Sequence, residues 1–188
     1  MHLVTCTMGV SADGFIADAD GSLDWGAPDT ELFRFIVDEQ VKVGAYLLGR
    51  RLYETMLSWE TADQDPSLGA AEIEWARLWN PLPKVVFSTT LSSVQGAARL
   101  ATGDLATEIE RLRAEPGDGE IAVGGAMLAG QAAAAGLIDE YRIRLSPVLL
   151  GGGVPFFPQQ GTRVALDLVE SRVFPAGVVF LRYRVQGH

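Results

Sequence analysis

What most constrains this chain is a repeating alternation. Short apolar runs closed by Gly, Pro or Asp are separated by stretches whose apolar residues fall at helical spacing. Parallel strands need crossovers long enough to hold a helix, so this rhythm builds a mostly parallel sheet with helices on its faces, an α/β fold. The apolar runs are Leu3 to Val10, Ala45 to Leu48, Lys84 to Phe87, Ile121 to Val123 and Glu140 to Leu145. The last sets Tyr141, Ile143 and Leu145 against Arg142 and Arg144, a strand with one wet face. Asp29 predicts a helix cap, with Leu32, Phe33, Ile36, Val37 and Val41 turned inward and a stop at Gly44. Helical spacing resumes at Gly49. It returns with Ala71, Trp75, Leu78 and Trp79 before Asn80-Pro81, from Asp104 through Leu105, Ile109 and Leu112, and after Gly124-Gly125 as far as Gly136. Ser11 to Ala27 is expected to be a long polar loop. Val164 to Val185 predicts two strands around Pro175-Ala176-Gly177, hence an antiparallel hairpin at the edge of a mixed sheet.

With 188 residues, 48% of them hydrophobic and 21% charged, the chain can bury one substantial core. No repeat or linker divides it, so one domain over residues 1–188 is expected. Cys6 is the single cysteine and lies inside the first apolar run, which leaves no disulfide framework and no Cys-x-x-Cys pair. No stretch approaches the roughly 20 apolar residues of a membrane span, and no basic segment leads into a signal core. A cytoplasmic location without a membrane partner is the expectation. A net charge of -9 repels nucleic-acid backbones, and no basic run offsets it. The two histidines, His2 and His188, are terminal, so Ser-His-Asp and Cys-His catalysis and histidine metal sites are not expected. Carboxylate, hydroxyl or borrowed-cofactor chemistry on a small-molecule substrate remains.

Two apparent motifs fail on their chemistry. Gly44 to Arg51 has the glycine spacing of a phosphate loop but lacks its lysine and Ser/Thr. Gly9-Val10-Ser11-Ala12-Asp13 lacks the second glycine of a nucleophile elbow and has no histidine to activate the serine. Three other strand ends favour an anion. Arg50 and Arg51 follow Gly49 at a strand-to-helix switch, where free N–H groups and the helix dipole attract phosphate, although surface arginines are also commonly just solvated. Ser88-Thr89-Thr90 offer hydroxyls after the next strand, and Gly124-Gly125-Ala126 turn another strand into a helix with little bulk. Together they suit a dinucleotide crevice. The loop with Asp13, Asp18, Asp20, Asp24 and Asp29 lacks the spacing of a calcium loop and is either solvated or a lid, with Trp25 either capping the local core or closing over a ligand.

The ordered set "SADGFIA" from Ser11, "DW" at Asp24-Trp25, "GRRLYE" from Gly49, "VVFSTT" from Val85, "VGGA" from Val123 and "LIDEYRIRLSPVLLGGG" from Leu137 resembles the dihydrofolate-reductase-like superfamily. Within it, the chain is most similar to the reductase domain of bacterial bifunctional riboflavin-biosynthesis deaminase-reductases and its stand-alone relatives. The resemblance implies a sheet of about eight strands flanked by helices in three layers, NADPH as hydride donor, and a homodimer. It matches Gly49, Arg50 and Arg51 to the turn holding cofactor phosphates, and Ser88 and Thr89 to the segment beside the adenosine 2'-phosphate. Gly124 and Gly125, with Ala126 and Leu128 behind them, match the glycine pair against pyrophosphate and nicotinamide.

Asp13 and Gly14 match the start of the active-site loop, and Trp25 the tryptophan that closes it. Asp29 and Glu31 compete for the acidic pterin-binding position, and Leu149 and Gly151 join Trp25 as substrate-binding candidates. Asp13, then Asp24, Asp29 and Glu31, are the candidates to bind substrate or relay a proton. No deaminase signature accompanies the domain. The implied activity is hydride transfer to a C=N or C=O of a small heterocycle, either a pyrimidine of the 5-amino-6-(5-phosphoribosylamino)uracil type or a pterin. Two alternatives stay open: a non-catalytic nucleotide- or pterin-binding module, and a reductase using a flavin-type cofactor.

Overall fold

A computed structural model of the chain describes residues 2–157 and 163–187, so His188 lies outside the described residues. Its main sheet has eight strands. In chain order these are β1 (Val4–Ser11), β3 (Val43–Gly49), β4 (Lys84–Phe87), β5 (Ala98–Leu100), β6 (Glu120–Gly124), β7 (Glu140–Ser146), β9 (Leu166–Val173) and β10 (Val179–Val185). Across the sheet the order is β5-β4-β3-β6-β1-β7-β10-β9. Every pair from β5 to β7 is parallel, while β10 pairs antiparallel with both β7 and β9. This is the mixed, mostly parallel sheet with a C-terminal hairpin that the alternation implied. The parallel strands are nearly continuous apolar runs because helices cover both faces.

The helices are α1 (Thr30–Gln40), α2 (Arg50–Met56), α3 (Ala70–Trp79), α4 (Leu105–Ala114) and α5 (Ala126–Ala134). On one face α4 and α5 pack Ile109, Leu112, Leu128 and Ala132 against Val4, Cys6, Leu47, Ile121 and Val123. On the other, α1, α2 and α3 pack Val37, Tyr53, Trp75 and Trp79 against Leu48 and Val86. The first turn of α1 also reaches the hairpin, where Leu32 joins Phe174, Val178 and Phe180. Lys84 is fully buried; its ammonium donates to the carbonyls of Trp79, Asn80 and Leu82 and sits 3.3 Å from Glu60, closing the carboxyl end of α3.

Asp29 caps α1 as expected, its Oδ1 accepting from Leu32 N at 2.8 Å. The other end differs: α1 stops at Gln40, and Val41 is 65% exposed rather than part of the buried face. Gly44 is not a helix stop but lies inside β3, against Gly119. A Cβ on Gly44 would sit 2.9 Å from Gly119 Cα, so strand packing requires the glycine. The loop from Ser11 to Ala27 holds more structure than its polarity suggests. It contains β2 (Phe15–Ala17), which pairs antiparallel with β8 (Val154–Pro155), and a 3-10 turn at Asp24–Gly26. A second 3-10 segment, Leu57–Gln64, joins α2 to the loop before α3. Among the described residues no helix is long and apolar enough to cross a membrane, and no group of three or more His, Cys, Asp or Glu is placed to hold a metal ion.

Candidate active site

Because β4, β3, β6, β1 and β7 run parallel, their carboxyl ends reach one edge of the sheet. Phe87, Gly49, Gly124, Ser11 and Ser146 end there, each followed by residues singled out from sequence. β6 returns between β3 and β1, and β7 crosses to the far side of β1. In open α/β sheets this change of direction leaves a crevice outside the strand ends.

Two strand-to-helix turns meet at this crevice. Gly125 has φ +95°, a conformation that excludes ordinary side chains, and a Cβ there would lie 3.6 Å from Gly49 N. A Cβ on Gly124 would come within 2.5 Å of Leu52 Cδ2. Both turns therefore show bare backbone, a cradle that side chains would fill. Ala126 is half-buried and Met127 is 78% exposed at the start of α5. Leu128 is buried in the core beneath the turn, so its side chain supports the cradle from below.

Arg50 bridges two of the strand ends. Its Nη1 donates to Thr90 Oγ1 at 2.9 Å, and its Nε lies 3.7 Å from Glu54 Oε1. Arg51 is exposed, and among the described residues its guanidinium has no partner. Ser88 Oγ accepts from Thr90 N at 3.2 Å and Leu91 N at 3.0 Å, which fixes the turn after β4 and leaves Thr89 exposed beside it. Gly49, Arg50, Arg51, Ser88, Thr89, Gly124 and Gly125 are thus brought to one edge.

Asp13 joins two loops at this edge of the sheet. Its carboxylate accepts from Ser11 Oγ at 2.6 Å, from Leu150 N at 3.1 Å and from Gly151 N at 2.7 Å. The Ser11 hydroxyl, with those two amides, holds the carboxyl below its ordinary range. A carboxylate held ionised and engaged through both oxygens is a poor proton donor, so Asp13 fastens the loop after β1 to the loop after β7. The β2–β8 pairing fastens the same two loops a few residues further on. Gly151 takes part through its backbone, while Leu149 is 75% exposed.

Asp24 is exposed in the 3-10 turn, and Trp25 is half-buried with its Nε1 buried and without an acceptor. Asp29 is committed to the cap of α1. Glu31 pairs with Arg172 of β9 at 2.9 Å, which turns it toward the hairpin. Sequence reasoning missed Thr90 as the partner of Arg50 and Ser11 as the partner of Asp13. Their signal was a hydroxyl within two residues of a named site residue. A shallow hollow of about 220 Å³, lined by Ala133, Gly136, Ile138, Tyr141 and Val185, lies at the opposite edge of the sheet and takes no part in this crevice.

The chain is 30% identical to protein YyaP of Bacillus subtilis (strain 168), itself uncharacterized, over 180 residues, covering 96% of this chain and 93% of the relative. A candidate riboflavin-biosynthesis protein of Shewanella sp. PV-4 matches in structure with a TM-score of 0.76 at 27% identity, covering 98% of this chain and 99% of that one. The Thermotoga maritima diaminohydroxyphosphoribosylaminopyrimidine deaminase/5-amino-6-(5-phosphoribosylamino)uracil reductase shares the fold at 14% identity and a TM-score of 0.66. This chain is covered to 98% and spans 56% of that protein. The family model of the RibD C-terminal domain matches residues 2–180, the span that holds the whole strand-end crevice, and the chain belongs to that family.

Proposed function

We propose that the protein is an NADPH-dependent reductase acting on a C=N or C=O of a small heterocycle, a pyrimidine of the aminouracil type in preference to a pterin. The observation that carries this reading is the bare cradle formed by Gly49, Gly124 and Gly125, with Arg50, Arg51, Ser88 and Thr89 at the neighbouring strand ends. Its donor-rich, bulk-free surface fits a dinucleotide. Membership in a family built on reductase domains supports the same conclusion.

When bound, NADPH supplies a hydride to the carbon of the substrate double bond. Arg50 and Arg51, with the Ser88 and Thr89 hydroxyls, would hold the phosphate-bearing end, and Arg51, without a partner among the described residues, would be the one freest to take the 2'-phosphate. The bare backbone at Gly124-Gly125 would let the pyrophosphate and ring approach closely. Asp13 keeps the loops after β1 and β7 together over the substrate side, and Trp25 and Leu149 cover that side with apolar surface. The proton for the reduced heteroatom comes from solvent entering the open edge, since the Asp13 carboxyl is held ionised. We further propose a homodimer. β9 is an edge strand exposing Leu168, Val169 and Val173 at 57%, 46% and 72%, and a second copy would cover it.

The test is cofactor oxidation, followed by the nicotinamide absorbance band, against a panel of aminouracils and pterins. Turnover with an aminouracil and NADPH is expected. A protein that binds NADPH yet oxidises it with no member of either class would contradict the assignment as a reductase of these heterocycles.

A further inference from the structure

The hollow at the edge of the sheet opposite the crevice carries chemistry of its own. It encloses about 220 Å³ between the end of α5, the start of β7 and the end of β10, with apolar side chains from Ala133, Ile138 and Val185. Gly136 ends the helix at φ +65°, and a Cβ there would meet nothing within 4 Å, so the space beside the turn is open. Tyr141 and Arg163 lie on the same lining.

Acceptors around this hollow are used within the fold. Ala133 O accepts from Gly136 N at 3.1 Å, Asp139 O from Val185 N at 2.9 Å and Ala165 O from Gln186 N at 3.0 Å. Gln186 donates in turn from Nε2 to Asp167 Oδ1 at 2.5 Å. The acids next in the chain to the lining are engaged as well, Asp139 accepting from Val4 N at 2.7 Å and Glu140 from Arg142 Nε at 2.7 Å. Two donors differ. Tyr141 is only 6% exposed, and its ring packs against Phe156 and Phe157. Among the described residues its hydroxyl makes no hydrogen bond, and the Arg163 guanidinium has neither a hydrogen bond nor an ion pair. Burial pushes the phenol up to about 12, so it keeps its proton and can donate. A nearly buried hydroxyl without a partner is costly, and the guanidinium offers a second, charged donor on the same wall.

We propose that this hollow is a ligand site separate from the crevice, taking a small monocarboxylate with an apolar ring or branched chain. The carboxylate accepts from the Tyr141 hydroxyl and pairs with Arg163, and the apolar body covers Ala133, Ile138 and Val185. Such a site combines apolar walls with a few placed polar groups, and its volume limits the body to a single ring. An amine of the same shape meets the guanidinium and is refused.

The experiment titrates the full chain by calorimetry with benzoate, isovalerate, benzamide and benzylamine, as wild type, Tyr141→Phe and Arg163→Gln. Tyr141→Phe keeps the ring contacts and removes only the hydroxyl, and Arg163 is exposed, so both variants are expected to melt with wild type when no ligand is present. Benzoate or isovalerate is expected to saturate wild type at one per chain. Its binding is expected to weaken about tenfold after Arg163→Gln and about three- to tenfold after Tyr141→Phe. Benzamide and benzylamine are expected not to saturate. Saturating NADPH is expected to leave the affinity for the acid unchanged, because the hollow and the crevice lie at opposite edges of the sheet. The proposal is overturned if neither acid saturates wild type up to about 10 mM, if both variants bind the acid as tightly as wild type, or if benzylamine binds as well as benzoate. Competition between NADPH and the acid would place the acid in the crevice and overturn it too. Failure of NADPH to bind would remove the cofactor reading alone and leave this site standing.

Discussion

Single residues here hold their positions through groups that titrate or through backbone conformations open only to glycine. Glu108 is fully buried, accepting from Arg99 at 2.6 Å, from Thr102 N at 2.8 Å and from Gly103 N at 3.1 Å, with Arg111 at 3.0 Å. Burial pushes its carboxyl up, but the Arg99 bond and the two amides outweigh it and hold the value at about 2, against 4.5 ordinarily. The unfolded chain therefore takes up the proton first. The stability from this group is full above the ordinary value and is lost as pH falls from 4.5 toward 2. Glu108→Gln is expected to cost about 2–3 kcal/mol at neutral pH and to flatten that acid limb, as denaturant unfolding across the pH range would reveal. Gly125→Ala forces a side chain into φ +95°, a strain of about 1–3 kcal/mol. A lowered melting temperature together with weakened NADPH binding is expected. Unchanged affinity would mean that the cradle is not where the cofactor lies.

At the scale of elements, each strand end contributes a small, differently built part of the crevice. Arg50 is fixed by Thr90 across the ends of β3 and β4, whereas Arg51 is exposed and has no partner among the described residues. Arg51→Gln is accordingly expected to weaken NADPH by about tenfold while leaving NADH nearly unchanged, one charge-assisted contact's worth. Competitive fluorescence titration measures both. Much of this arrangement was legible from sequence. The apolar runs that became β1, β3, β4, β6 and β7, the Asp29 and Asp104 caps, and the glycine pair all carry local signals whose period or chemistry is fixed by the element itself. What stayed hidden depends on contacts far along the chain. β5, at three residues, and the β2–β8 pair are too short to show a period, and Gly44 looked like a helix stop because its true reason is Gly119. That Leu150 and Gly151 donate to Asp13 could not be read from its sequence neighbours.

Across the whole molecule, one ion network ties the first helix to the far half of the sheet. Arg142 holds carboxylates from α1, β6 and β7, and Arg182 of β10 shares Glu39 with it. Removing one member strands buried charge, so Arg142→Met is expected to cost about 3–5 kcal/mol. Thermal melts of Arg142→Met beside wild type give the comparison. The central claim concerns the crevice at the carboxyl edge of the sheet, and equilibrium titration with NADPH tests it most directly. Saturable binding of one NADPH per chain, with NADH weaker and Arg51→Gln erasing the difference, is the expected result. No saturable binding, or equal binding of both nucleotides unaffected by Arg51→Gln, would contradict it.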